Sequence, residues 1–158
     1  MDEYRFELAL RRDAAAIASL SRRLIEAGLP PAWPADRVLC HIKRTDSVVV
    51  TARVHGLLAG FAIMQFGDSH AHLNLLAVET SHQRRGLGRQ LMNWLHESAL
   101  IAGTFDVGLE LRANNAGARR FYESLSYRAG ELMRGYYQGI EDALRMTRDL
   151  RVDRSLTA

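Results

Sequence analysis

Three β-rich runs in close succession, Ser47–Val54, Leu57–Phe66 and Ala71–Val78, narrow most sharply what this chain can become. His55-Gly56 joins the first to the second and Gly67-Asp68 separates the second from the third, so neighbouring strands turn back on each other as an antiparallel meander. A polar break, Glu79–Arg85, then leads into a helix of about Gly86–Ala102, with Leu87, Leu91, Trp94, Leu95, Ala99 and Ala102 on one side and Gly103 as its cap. Asp106–Arg112 reads as the next strand. Strand, helix and strand from Ala71 to Arg112 predict a right-handed crossover between parallel strands, which makes the sheet mixed.

The flanks extend this pattern. Tyr4–Leu10 alternates as a half-buried strand, and Asp13 is an expected N-cap for a helix through Ala27 that Gly28 stops. All three prolines fall in Leu29–Pro34, a stiff loop, and a short helix is expected over Asp36–Arg44. Asn115–Leu125 reads as a helix, and Tyr127–Arg134 and Ala143–Arg148 as the last strands. The predicted order is βααβββαβαββ, an α/β (α+β) fold in which a mixed, mostly antiparallel seven-stranded sheet carries helices on both faces. No repeat or linker divides the chain, so residues 1–151 are expected to form a single domain and 152–158 a flexible polar tail.

Composition excludes several classes. At 158 residues and 47% hydrophobic content, with 3 prolines and 12 glycines, the chain is expected to fold unaided rather than remain disordered. Its longest apolar run, Leu57–Met64 with Gly60 inside it, is far short of the roughly 20 residues that span a bilayer, so no membrane partner is expected. Met1–Arg5 has no apolar signal-peptide character, and a cytoplasmic location is expected. Cys40, the single cysteine, cannot form an internal disulfide, and its apolar neighbours predict a buried thiol. A net charge of +3 is too small to argue for nucleic acid, and no nucleic-acid partner is expected.

The charge distribution says more than the sum. His82, Arg84, Arg85 and Arg89 form a basic stretch without an acid between Glu79 and Glu97. Within it, Gln83-Arg84-Arg85-Gly86-Leu87-Gly88 lies between a strand and the helix it opens. Two glycines let the backbone curl so that successive N–H groups converge, and the helix N-terminus adds about half a positive charge there. A pyrophosphate suits that spot; a purely structural turn is the alternative. The dinucleotide fingerprint fails because Leu91 stands where its third glycine belongs, and the P-loop fails because no Gly-Lys-Ser/Thr follows. Glu110 lies at the carboxyl end of a strand expected to be covered on both faces, where a carboxylate needs a partner or a task. On spacing alone, Glu110 paired with an arginine and Tyr122 as a core aromatic are equally open. His70, His72 and His82 have no carboxylate at ligand spacing, so no metal is expected. His72 is an alternative base. Trp33 and Trp94 read as packing residues, Trp33 also as a wall for an acceptor site.

The Gln-x-x-Gly-x-Gly loop after Leu76-Ala77-Val78, taken with the stretch from Leu109 to Tyr127, resembles the GNAT superfamily of acetyl-CoA-dependent N-acetyltransferases. Arg134-Gly135-Tyr136-Tyr137 followed by Glu141–Met146 is similar to the RimI-like protein N-terminal acetyltransferases. The resemblance covers Val48–Met146. It implies a GNAT-like fold and acetyl-CoA as acetyl donor, with Leu76, Ala77 and Val78 bonding the pantetheine arm and Arg84, Arg85, Gly86, Leu87, Gly88 and Arg89 cradling the pyrophosphate. It further implies that Asn115 contacts coenzyme A, Glu110 is the general base, Tyr122 the general acid, and Trp33, Tyr136 and Tyr137 border the amine. Thr80 stands where the family often has proline, and Ser126 where glycine commonly precedes the aromatic. The implied reaction is direct attack by a primary amine, foremost a protein or peptide N-terminal α-amine; a small-molecule amine and a non-catalytic acyl-CoA-binding domain are the alternatives. A monomer or a homodimer is expected, because a C-terminal strand in this fold can pair across a dimer.

Overall fold

The meander forms as three strands, β2 (Ser47–Val54), β3 (Leu57–Phe66) and β4 (His70–Val78), in a computed structural model that describes residues 3–154. Its first turn has His55 at φ 52° and Gly56 at φ 77°, the doubly left-handed turn whose twist matches that of the strands it joins. β2 and β3 are antiparallel from Val54↔Leu57 outward, with an irregularity at Ala52/Arg53. β1 (Arg5–Leu8) adds to β2 antiparallel. β5 (Asp106–Arg112), β6 (Arg128–Tyr137) and β7 (Glu141–Asp149) complete seven strands in the order β1-β2-β3-β4-β5-β7-β6. The parallel pairing expected of the crossover is present: His70, Ala71 and His72 of β4 face Asp106, Val107 and Gly108 of β5.

The chain forms two compact units, one running to Gln65 and resuming over Asn74–Leu95, the other made of Phe66–Leu73 and the chain from His96 onward. In the first, α1 (Ala14–Leu24) and α2 (Ala35–Lys43) supply Ile17, Leu20 and Val38 to a core shared with Val49, Phe61, Ile63, Leu75 and Ala77. Leu87, Leu91, Met92 and Leu95 of α3 (Leu87–Ile101) are buried as its 3.6-residue period requires. Gly60 permits a close approach here: a Cβ on it would stand 2.9 Å from the Ala77 carbonyl and 3.3 Å from Leu91 Cδ1.

In the second unit β5 alternates, burying Val107, Leu109 and Leu111, while Ala143, Leu144 and Met146 of β7 and Leu125 and Tyr127 are also buried. α4 (Ala116–Ser124) is capped by Asn115, whose Oδ1 accepts the Ala118 N–H at 3.0 Å. The turn after α4 has Ser126 at φ 69°, so serine adopts the left-handed conformation that glycine takes without steric cost.

Several expectations shift. Asp13 is buried in a 3-10 turn, Arg11–Asp13, where its carboxylate accepts Leu10 N–H at 2.7 Å and pairs with Arg53 instead of capping α1. α1 stops at Leu24, before Ala27. Cys40 is exposed: α2 turns Val38 and His41 inward, which places Cys40 outside. β6 continues to Tyr137, and residues 150–154, partly assigned to the tail, form α5 (Leu150–Arg154), with Leu150 N–H donating to Phe105 O. The remaining tail, 155–158, lies outside the described residues. No helix among the described residues is long and apolar enough to cross a membrane.

Candidate active site

The loop after β4 is held at both ends by its own unit. Glu79 N–H donates to Ala59 O at 2.8 Å, and the Gln83 side chain turns back to donate to Val78 O at 2.9 Å. Between them, Thr80–His82 form a 3-10 turn, with Thr80 at its start. Arg23 grips Glu79 through two hydrogen bonds of 3.2 and 3.0 Å, which hold that carboxyl below the usual carboxylate range. Tyr4 OH meets His82 Nδ1 at 2.9 Å. The curl is made at Arg84 (φ 64°) and Gly86 (φ 80°), while Gly88 is already inside α3. Left-handed bends of this kind gather N–H groups into an anion-binding concavity, and the first N–H groups of α3 lack intrahelical partners. Arg84, Arg85, Gly86 and Arg89 are exposed, whereas the Leu87 side chain is buried, leaving its backbone as the part that can meet a ligand. On β4, Leu76 and Val78 are half-buried and Ala77 is buried.

In the second unit four strands converge on Glu110. Its side chain is 5% exposed. Oε1 meets His72 Nε2 of β4 at 2.7 Å and accepts the Tyr136 hydroxyl of β6 at 2.8 Å; Oε2 accepts Arg145 Nη1 of β7 at 3.0 Å. The register explains the meeting. Glu110 stands directly opposite Arg145, and His72 is paired with Gly108, two residues before Glu110 on the same face of β5. Gly108 also makes room, because a Cβ there would stand 3.1 Å from Arg145 Nη2. Burial alone pushes the Glu110 carboxyl up, but the bonds from His72 and Tyr136 and the charges of His72 and Arg145 outweigh it, so it lies below its ordinary value.

Tyr122 is buried on α4, edge-on to Phe121 and Tyr127 at ring-centroid distances of 5.0 and 5.6 Å. Burial, reinforced by Tyr137, pushes its phenol well above the ordinary range and keeps it protonated. Tyr136 and Tyr137 stack edge to face at 5.1 Å ahead of the turn that joins β6 to β7, and Tyr137 is raised chiefly by burial. That turn is fastened by Gly135 N–H donating to Asp142 Oδ1 at 2.8 Å.

Asn115 is exposed and its side-chain oxygen is taken by the α4 cap. Trp33 packs against the first unit's core, with Arg37 Cζ 3.8 Å from its ring centroid and the His41 ring at 5.1 Å. The three histidines weighed as ligands have other partners: His72 meets Glu110, His70 lies 3.7 Å from Asp106, and His82 meets Tyr4. Two buried groups escaped sequence reasoning. Glu26 accepts Trp33 N–H at 3.0 Å, Ser21 Oγ at 3.0 Å and also Ala32 N–H, so it organises the proline loop. Arg148 donates to His96 Nδ1 at 3.3 Å, which leaves Nε2–H to donate to Tyr127 OH at 2.7 Å. A glutamate six and seven residues before the N–H groups it satisfies has no periodic signal, and the His96 contact depends on tertiary packing.

Residues 16–127 match the acetyltransferase (GNAT) family. Over 92 residues the chain is 42% identical to the [ribosomal protein bS18]-alanine N-acetyltransferase of Salmonella typhimurium, a segment covering 56% of this chain and 62% of that protein, less than two thirds of the relative's length. The crystal structure of the ribosomal-protein-S18-alanine N-acetyltransferase from Escherichia coli aligns with a TM-score of 0.82 at 28% identity over 94% of each chain. Arabidopsis thaliana NAA60 in complex with acetyl-CoA shares the fold at a TM-score of 0.81 and 18% identity, covering 94% of this chain and 99% of that one. The strand order, the Gln83–Gly88 loop opening α3 and a match over most of its length place this chain in the GNAT acetyltransferase family.

Proposed function

We propose that the chain is an acetyl-CoA-dependent N-acetyltransferase that moves an acetyl group to a primary amine by direct attack, and that its acceptor is a protein or peptide N-terminal α-amine. The observation that carries the catalytic reading is the Glu110 cluster: a carboxylate 5% exposed is kept ionised by an imidazole, a phenol and a guanidinium drawn from three other strands. Support for the acceptor comes from the 42% identity to an enzyme named a [ribosomal protein bS18]-alanine N-acetyltransferase.

The roles follow from the chemistry. The backbone of Leu76, Ala77 and Val78 bonds the pantetheine arm, and the Arg84–Arg89 loop with the start of α3 takes the pyrophosphate, Arg84, Arg85 and Arg89 adding positive charge. Asn115 adds a contact to coenzyme A. Glu110 removes a proton from the protonated amine, directly or through water, and the Tyr122 hydroxyl donates to the departing thiolate. Trp33, Tyr136 and Tyr137 border the acceptor. Backbone polar groups near the thioester carbonyl stabilise the oxyanion that forms on attack.

Calorimetric titration with acetyl-CoA, on the wild type and on Gly86→Val, tests the donor site. The added Cβ meets nothing within 4 Å, so the fold bears only the strain of a side chain at φ 80°, about 1–2 kcal/mol. Micromolar binding by the wild type that the variant loses is the expected result; absence of wild-type binding defeats the reading. Thiol release in the presence of alanine-initiated peptides and of small amines then tests the acceptor, and turnover on small amines alone overturns the peptide assignment.

A further inference from the structure

The loop between α1 and α2, Leu29-Pro30-Pro31-Ala32-Trp33-Pro34, has few backbone donors to satisfy. Its three prolines carry no N–H, which leaves Leu29, Ala32 and Trp33. All three donate to one residue. Leu29 N–H bonds the Glu26 carbonyl at 2.9 Å, and the Ala32 and Trp33 N–H groups both bond Glu26 Oε1, the latter at 3.0 Å. Oε2 is held in turn by the Ser21 hydroxyl of α1 at 3.0 Å. Surface loops can leave such donors to water. Here they are gathered on a carboxylate that is itself 5% exposed, and its hydrogen bonds offset the cost of taking it out of water.

The consequence of this arrangement is felt at Trp33. Its N–H is fixed on Glu26, and its ring centroid lies 3.8 Å from Arg37 Cζ and 5.1 Å from the His41 ring. Arg37 Nη1 also donates to Ala32 O at 2.8 Å, and His41 Nδ1 meets Ser47 Oγ at 2.9 Å. Trp33 nevertheless stays half-buried. A large aromatic surface is therefore set in place before any ligand arrives, so a ligand that uses it need not order it on binding.

We infer that Glu26 is a positioning residue for the acceptor: it presets the proline loop and Trp33 in the form that receives the amine-bearing substrate, and so sets acceptor affinity without touching the reacting atoms. The inference rests on the acetyltransferase reading above, in which Trp33 borders the acceptor. Glu110 and Tyr122 stand on other elements, β5 and α4, so loss of Glu26 weakens acceptor binding and leaves bond making in place. The role needs the shape of the side chain and not its charge. Glutamine reproduces the pattern, because its amide oxygen accepts both loop N–H groups and its amide N–H donates to the Ser21 oxygen.

The test is initial-rate kinetics with acetyl-CoA and an alanine-initiated peptide on wild type, Glu26→Ala and Glu26→Gln, alongside acetyl-CoA titrations and thermal melts. Glu26→Ala should raise the acceptor KM by about 10–10²-fold, the scale of a misplaced binding group, with kcat within about threefold of wild type and acetyl-CoA affinity unchanged. Glu26→Gln should return the acceptor KM to within about threefold of wild type. A Glu26→Ala enzyme that melts lower but keeps the wild-type acceptor KM makes Glu26 a support for the fold alone and overturns the inference, while the acetyltransferase reading stands. Amide hydrogen exchange on the wild type gives a second test that no variant's folding can spoil. The Ala32 and Trp33 N–H groups should be protected before acceptor is added; protection that appears only with acceptor overturns the inference. A wild type that binds acetyl-CoA and turns over no amine defeats the acetyltransferase reading, and the role of Glu26 with it.

Discussion

Replacing Glu110 by glutamine leaves His72, Tyr136 and Arg145 facing a neutral amide in place of the anion that all three now meet. Because the folded-state pKa of Glu110 is depressed, its contribution to stability is complete above the unfolded carboxyl range, about 4.3, and is lost as pH falls through the folded-state value. Wild type should therefore lose stability from about pH 4 downward, and Glu110→Gln should lack that increment; denaturant melts between pH 3 and 6 read the difference. Tyr122→Phe removes one hydroxyl from a buried ring whose edge contacts with Phe121 and Tyr127 remain. Turnover should fall by about 10²–10⁴-fold with acetyl-CoA affinity nearly unchanged, and a comparable loss of affinity would make Tyr122 a packing residue for the donor. Both residues were legible from type and place: a carboxylate near the end of a covered strand and a tyrosine on the next helix. The identity of their neighbours was not. An arginine partner for Glu110 was foreseeable, but Arg145 in particular follows from a strand register that a one-residue slip would reverse. Cys40 failed for a related reason, since apolar neighbours in sequence do not share its direction on a helix.

At the level of elements, β2, β3 and α3 were read closely because turn residues and periodicity are local. His55-Gly56 can make a two-residue hairpin whatever the rest of the chain does, and α3 displays its apolar face in its own spacing. Gly60 was seen in the sequence only as an interruption of an apolar run. Its reason is tertiary: β3 there passes so close to the Ala77 carbonyl and Leu91 that an added methyl must displace backbone. Gly60→Ala should cost about 1–3 kcal/mol, as overpacking does, and chemical denaturation measures it. The end of β6 was read short because Tyr136, Tyr137 and the turn after them are held by Asp142 and by Glu110, partners that local propensity does not contain.

For the whole molecule, a ligand that binds only the folded chain stabilises it by mass action. At a hundredfold excess over its Kd, acetyl-CoA should add about 2.7 kcal/mol, raising the melting temperature of a chain this size by about 5–10 °C. Gly86→Val should melt slightly below wild type and show no such rise, which separates a lost donor site from a lost fold in one scan. The sequence alone determined the kinds and order of the elements, the loop that opens α3, and which residue types were available for proton transfer, because turn chemistry and side-chain period act between near neighbours along the chain. Only the tertiary structure decided that His72, Glu110, Tyr136 and Arg145 meet on one carboxylate, that Glu26 holds the proline loop, and that His96 is buried against Tyr127. Those meetings depend on strand pairing and register. Both are set by burying the whole core at once, and no single segment encodes them.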